Sequence, residues 1–568
     1  MLEVVADRLA GSASRRHLLF LFASLFTLVF VGYHFGTFDQ SIHISFLKKY
    51  ADPSLYPGDP FFDLRFQHYS FFWFLFQPFY QAGVLEGVLL LVHLLATYLT
   101  YWMLWTLSFT LFRSPLAALL STLAFAMPHL GFAGFPILEF SLLNRTFVLP
   151  FLLLAMVLYL RGRVVGAYAL LGLFYNLHVI SVQFVLCMFL LDSALRWRAL
   201  GWRRLAAGLG LFVLGALPVL AWKLGSGGTP VDFSARPEWF ATVARGTLYN
   251  LFYLLPPYPH ILFMTFSGVS ALLLFAIGRS EKPAGPHDRT VTRFVAAALI
   301  ILVVQSATAQ WYPATIIIQS QIIRAGLFIL IFGYIYFGRY LAERYRRGPK
   351  DALDFKVLAL TYGLFPLPVA PLLVWMFQRV IAPAWPRRLT VAATLATLVV
   401  AMAWVVVRFD IWRPGVYAFG PRTAWEDAQF WARDNTARDA LFITPPQTWW
   451  LYQTDWRVFS ERSSVATLSE LLEAAFAPEY IDHWQPRFEA VAPGALAHFR
   501  GNYFENKAIT RAAFYSLTTD QLVRLAGDYG ADYLVVEKPN TRALPLVYEN
   551  DGYAVYEFLD ETSNSQEN

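Results

Sequence analysis

Six residues that can give or take a proton crowd one stretch of this chain. Asp39, His43, Asp52, Asp59, Asp63 and His68 fall within GTFDQSIHISFLKKYADPSLYPGDPFFDLRFQHY, Gly36 to Tyr69. A run almost free of polar groups, 18–36, comes directly before it. Asp39 lies about one helical turn beyond that run, where a carboxylate is partly desolvated and can hold a hydroxyl as a general base. Its competing role is an N-cap for QSIHISFLKKY, which reads as a helix. Asp52 sits in ADPSLYPGDP and reads as turn chemistry. Asp59 and Asp63 stay open as ligand contacts.

Glu139 lies in the next polar segment, FPILEFSLLNRT. It can face Asp39 across a cavity, gripping a metal or a bound hydroxyl, or it can pair with Arg145. His178 stands alone in YNLHVIS, either as a hydrogen-bonded core imidazole or as a ligand contact. The histidines share no HxxxH or HExxH spacing, so no zinc site is expected. Arg245 lies in a long polar loop, and Arg324 follows IIIQSQII, which contains Gln321. A guanidinium in such a place can bind a phosphate bidentately. The expected reactive acids are therefore Asp39 and Glu139. The expected ligand contacts are His43, Asp59, Asp63, His68, His178, Arg245, Gln321 and Arg324.

The elements that must position these groups are mostly apolar. The chain has 568 residues, 57% hydrophobic and 15% charged, a composition of polytopic membrane proteins. Residues 1–407 carry 31 Lys/Arg against 16 Asp/Glu, and residues 408–568 carry 14 against 23. The basic surplus fits cytoplasmic loops rather than nucleic-acid binding, for which no motif is present. Cys187 is the one cysteine, so neither an internal disulfide nor a CxxC metal pattern exists. A span needs about 20 apolar residues. Candidates are 18–36, 84–112, 115–129, 146–160, 205–221, 259–278, 294–309, 325–343 and 389–407. The apolar stretches 164–193 and 356–380 are interrupted, the first at Asn176, His178 and Gln183, the second at Pro366 and Pro368.

Basic residues favour the cytoplasmic side. Arg15, Arg16 and His17 then place the N-terminus inside, as a signal-anchor, and the 37–69 loop outside. Arg196 to Arg204 and Arg387–Arg388 fall inside only if each interrupted stretch is a hairpin. The expected total is about 13 spans, or about 11 without the hairpins. Either number is odd and puts the acidic tail outside. The aromatic run 66–80, FQHYSFFWFLFQPFY, fits a helix lying in the interface.

Residues 408–560 read as a soluble α/β domain, with 561–568 disordered. A helix over 424–433 is capped by Thr423. Strands are expected at 440–444, 457–460 and 532–537. A helix closes at Gly530, and PLVYENDGYAVYEF forms a hairpin turning at Asn550-Asp551-Gly552.

The layout resembles the GT-C superfamily of polytopic glycosyltransferases, which includes protein mannosyltransferases, aminoarabinose transferases and oligosaccharyltransferase catalytic subunits. FDQSIH matches that family's acidic first outer loop, and ILEF its second acidic position. WARDNTARDALFITPP, YGADYLVVEK and LPLVYENDGYAVYEF are similar to the tails of bacterial members. Two departures stand out. Asp39 is followed by Gln40 where many relatives carry paired acids, and Glu139 has no acidic neighbour. The resemblance implies a polytopic α-helical GT-C-like fold with a C-terminal α/β domain outside a bacterial plasma membrane. It implies an inverting transfer of sugar from a polyprenyl-phosphate donor to an acceptor lipid, glycan or protein, with membrane lipids as further partners. No cofactor is specified, and a divalent metal is left open. The rival readings are a lipid or small-molecule transporter, or flippase, and an inactive scaffold of the same fold.

Overall fold

The computed structural model describes residues 1–225, 232–255, 262–282, 285–348, 353–380, 387–421, 423–448 and 451–558. It is mostly helical, with a small sheet near the C-terminal end. Each expected apolar segment forms a helix. Among the described residues five helices are long and apolar enough to cross a membrane: Ala13–Phe30, Leu85–Phe112, Trp202–Gly225, Asp288–Trp311 and the run Thr315–Arg347. The first three residues of the expected 259–278 span lie outside the described residues.

Both interrupted stretches divide into two helices. The first gives Val164–Tyr175 and Val179–Leu195, broken at the polar residues that mark it. His178 caps the second helix by accepting from Ser181 N at 3.3 Å. Asn176 turns outward to the helix Trp202–Gly225, donating to Gly215 O at 2.7 Å and accepting from Val219 N at 3.0 Å. The same helices approach most closely at Gly172 and Gly215. A Cβ on Gly172 would stand 2.3 Å from Phe212 O, so only small residues permit this crossing. The second stretch gives Leu353–Leu364 and Val369–Val380, separated by the prolines.

The 37–69 loop is ordered by helices. Asp39–Ala51 is an α-helix, and Pro60–Gln67 a 3₁₀ segment capped by Asp59, which accepts from Phe61 N at 3.1 Å. Asp39 is not an N-cap. It is the first helical residue, and Phe38 takes the cap position without a side-chain bond. The aromatic run 66–80 is not one helix either. Residues 66 and 67 end the 3₁₀ segment, Tyr69 sits at φ 43°, and the short pieces Trp73–Phe76 and Gln77–Gln81 follow. Phe72, Trp73 and Phe76 are buried in the protein core, whereas Phe66, Leu75 and Phe79 are exposed.

The C-terminal region holds five strands: β3 (Leu441–Ile443), β4 (Ser463–Ser464), β5 (Tyr533–Glu537), β6 (Leu546–Glu549) and β7 (Tyr553–Glu557). They form one sheet in the order β4-β3-β5-β7-β6. β5 runs parallel to β3 and antiparallel to β7. Asn550 closes the β6–β7 turn by accepting from Gly552 N and Tyr553 N. Thr423 caps Ala424–Asn435, and Gly530 ends Thr519–Tyr529 at φ 68°. The segment expected as a strand at 457–460 is a short helix, Trp456–Ser460, capped by Asp455. All five of its residues are buried, so the alternation that a half-buried strand requires is absent. The expected tail at 561–568 lies outside the described residues.

Two more strands, β1 (Tyr33–His34) and β2 (Val416–Tyr417), pair in parallel. They join the end of the first apolar helix to the chain leaving the last one, Arg387–Phe409.

Candidate functional site

Three bonds sew the first polar loop to the second. His34 N donates to Phe140 O at 2.8 Å. Gln40 Nε2 donates to Leu142 O at 2.9 Å, while Gln40 Oε1 accepts from Gly36 N at 2.7 Å. Gln40 is fully buried, so its amide serves two backbone groups that no water reaches. Gly36 takes φ 73°, which turns the chain back for that contact.

The third bond is ionic. Arg145 Nη1 donates to Asp39 Oδ2 at 2.7 Å. Its Nε and Nη2 grip Glu139 Oε1 and Oε2, each at 2.7 Å. The guanidinium thus lies between both acids and bonds both. A divalent metal on Asp39 and Glu139 does not fit this arrangement, because the Arg145 cation occupies the space between them and bonds three of their four oxygens. Among the described residues no group of three or more His, Cys, Asp or Glu side chains converges elsewhere as metal ligands.

Asp39 and Arg145 line a cavity of about 310 Å³. Its walls come from the helix Asp39–Ala51, the turn at His178, the C-terminal end of Trp202–Gly225 and the broken segment at Gln321. The segment 472–477 of the C-terminal region also lines it. Of the expected residues, Asp39, His43, His68, His178, Gln321 and Arg324 line this cavity. Glu139 does not. It is buried behind Arg145 and touches the cavity only through that side chain.

Three expected contacts lie elsewhere. Asp59 pairs with Arg457 at 3.2 Å, in a buried cluster with Asp455 and Glu470. Burial pushes the Glu470 carboxyl up, against the pull of Arg457. Asp63 is 82% exposed and faces Arg65. Arg245 contributes its backbone: its carbonyl accepts from Gly501 N at 2.7 Å and from Asn506 Nδ2 at 2.7 Å. Its Nε bonds Ala241 O of its own helix.

The cavity's cations are not all neutralised. Among the described residues Arg324 makes no ion pair, and its buried Nε has no hydrogen-bond partner. The Arg145 and Arg324 guanidiniums share the ring of Phe135, at 5.0 and 4.4 Å from its centroid. Gln321, at φ 41°, breaks the run between Thr315–Ser320 and Gly326–Arg347, and its buried Oε1 is unpartnered. Gln305 holds the break open by accepting from Ile323 N at 2.8 Å.

His178 Nδ1 accepts from Ser181 N, which can only donate, so in the neutral ring the hydrogen sits on Nε2. His43 stacks on Trp73, with ring centroids 5.2 Å apart. Burial, and then the charges of His68, Arg145 and His178, hold the His43 imidazole well below its ordinary range. It is therefore neutral near pH 7.

Residues that the sequence did not single out complete the site. Lys223 lines the cavity and lies over the Tyr69 ring at 5.5 Å. Glu473 reaches in from the C-terminal region to bond His68 at 2.6 Å. Gln319, which the sequence does mark as a polar group beside Gln321, donates to Phe476 O at 2.9 Å, a second tie to the same segment. Lys223 ends an apolar run on the expected outer side, as unusual there as Arg324, and that signal could have found it. Glu473 sits among ordinary acidic helix residues and carries no such mark.

The comparisons add local information. A family model described as a domain of unknown function (DUF6798) matches residues 423–491. That stretch contains Arg457, Glu470 and Glu473. No curated protein matches the chain. Among solved structures, the oligosaccharyltransferase of Archaeoglobus fulgidus in its apo form is similar at 13% identity and a TM-score of 0.40. The match covers 92% of this chain and 69% of the archaeal one. A score at that level does not establish a shared fold.

Proposed function

We propose that this chain is an inverting membrane glycosyltransferase. It moves a sugar from a polyprenyl-phosphate donor to a hydroxyl acceptor at the outer face of a bacterial plasma membrane. One observation carries the reading: Asp39 and the unpaired Arg324 line the same cavity. An acid to engage a nucleophile and a cation to receive a phosphate are the two groups that such a displacement needs.

The donor phosphate sits on Arg324, with Lys223 as a second cation and the neutral His178 offering its Nε2–H. Val179, Ile180, Val219 and Leu220 give the same cavity an apolar wall suited to the first isoprene units. Asp39 keeps Oδ2 on Arg145, and its Oδ1 takes no hydrogen bond from the described residues. That oxygen accepts a hydrogen bond from the acceptor, which orients the attacking hydroxyl toward the anomeric carbon. The lipid phosphate leaves with its charge on Arg324. Glu139 acts through Arg145, which it holds in place. The helices form the membrane domain, with the N-terminus in the cytoplasm and residues 408–560 outside.

Transfer of radiolabelled sugar from undecaprenyl phosphate into membrane glycolipids or glycans tests the reading, together with mass spectrometry of glycans lost on deletion. If Asp39→Asn and Asp39→Ala both keep full transfer, the reading fails. The breaks at 176–178 and at Gln321 favour one rival, a transporter with discontinuous helices. Uptake of labelled lipid into proteoliposomes without any sugar transfer would select it.

A further inference from the structure

We propose that the Glu473–His68 pair is the general base of this transfer and takes the proton of the attacking hydroxyl. The proposal rests on the transferase reading and goes beyond it, because that reading names no home for the proton.

His68 Nε2 and Glu473 Oε2 are 2.6 Å apart. A carboxylate only accepts, so Nε2 carries the hydrogen and Nδ1 keeps its lone pair. Among the described residues Nδ1 has no hydrogen-bond partner, and His68 lines the cavity. The ring is held by edge contacts to His43, at 5.2 Å, and Phe46, at 5.1 Å. Glu473 is 6% exposed and lines the cavity beside it. A buried carboxylate that orients an imidazole in one tautomer and stabilises its protonated form is the arrangement that makes histidine a base in acyl transfer.

The placement fits the chemistry. Asp39 and His43 are one turn apart on Asp39–Ala51, so their Cβ atoms lie about 5–6 Å apart. His68 follows against His43, which puts Asp39, His43, His68 and Glu473 in series along one wall. Asp39, its Oδ2 committed to Arg145, stands at the far end of that wall and leaves the attacking O–H to His68. The groups facing His68 are His43 from the helix and Glu473 from the C-terminal region. Asp39, Arg145 and His178 stand farther round the cavity, and Lys223 lies against the neighbouring Tyr69.

In the step, the acceptor O–H bond breaks and its proton passes to His68 Nδ1. The oxygen's electron pair forms the bond to the anomeric carbon. The bond from that carbon to the phosphate oxygen breaks, and its pair leaves on the phosphate. His68 later returns the proton to water.

The test uses membranes bearing the full chain, given undecaprenyl phosphate carrying labelled glucose, mannose or arabinose. Transfer to membrane acceptors or to water is followed. His68→Ala should lower kcat by ~10²–10⁴-fold with little change in the donor KM. Added imidazole should restore part of the rate, and the rescued rate should follow the titration of free imidazole. Glu473→Gln, of equal size, should lower kcat by ~10-fold or more. It keeps the test open if His68→Ala does not fold. Wild-type kcat in either variant overturns the proposal, as does a folded His68→Ala protein that no imidazole rescues. Wild-type protein that transfers none of the three sugars overturns the transferase reading, and this proposal with it.

Discussion

Arg145 and Asp39 meet at 2.7 Å across 106 positions of sequence, and the same guanidinium holds Glu139 by two further bonds. One cation therefore balances a buried acid, Glu139, and a partly buried one, Asp39. Arg145→Met should leave both without their partner. Breaking a buried pair from one side costs ~3–5 kcal/mol. A large drop in the detergent melting temperature is expected, and Arg145→Met combined with Glu139→Gln should recover part of it. An unchanged melting temperature in the single variant would contradict the ionic triad.

Gln40 serves the backbone at Gly36 and Leu142. Gln40→Ala removes both bonds and strands two buried groups, at ~1–3 kcal/mol each. The variant should be less stable and should lose transfer activity, because the turn that presents Asp39 loosens. Equilibrium unfolding and donor transfer, measured on one preparation, check the two effects together.

Arg324 behaves oppositely. It has no ion pair among the described residues to lose, so Arg324→Ala should melt no lower than the parent. Binding of undecaprenyl phosphate, followed by native mass spectrometry, should weaken. A hydrogen bond to a charged group contributes ~1.5–3 kcal/mol, which is roughly 10–100-fold in Kd. Unweakened binding would remove Arg324 from the phosphate site.

Lys507 gives a prediction in pH. Its amine donates to Gln453 Oε1 at 2.8 Å, and burial pulls its pKa down from 10.5 to about 8. Between those values the unfolded chain holds a proton that the folded chain has released, so stability rises with pH there. Below about pH 8 the folded state carries the cost of a buried charge. Lys507→Met should therefore be the more stable protein at pH 7. Its advantage should shrink from about pH 8 to about pH 10.5 and vanish above. Melting curves of both proteins across that range decide it, and a constant difference would rule the burial effect out.

Much of the helical layout was legible because membrane helices announce themselves twice, by apolar length and by basic flanks. The break at His178 was legible from Arg196, Arg198, Arg203 and Arg204, whose charges favour a hairpin there. Asp39, His43 and His68 stood out because polar groups beside an apolar run are costly unless used. Asp59 looked equivalent to Asp39 in the same loop, yet its partner is Arg457, 398 positions away. Nothing local separates the two, since the outcome depends on which cation the fold brings near. Glu473 was invisible for the same reason: its meaning comes from His68, 405 positions distant. Gln40 reads as a departure from a paired-acid motif, and its burial explains it. A second carboxylate there could not donate to Leu142 O.

The pairing of β1 with β2 constrains how the chain is threaded. Two strands that share hydrogen bonds must occupy the same aqueous compartment. Residues 34 and 416 therefore lie on one side, and the chain between them crosses the bilayer an even number of times. This parity needs no count of charges and no decision about any single helix. It holds whether an interrupted stretch crosses twice or not at all. A reporter inserted at Gly58 and one fused after residue 558 must then report the same compartment.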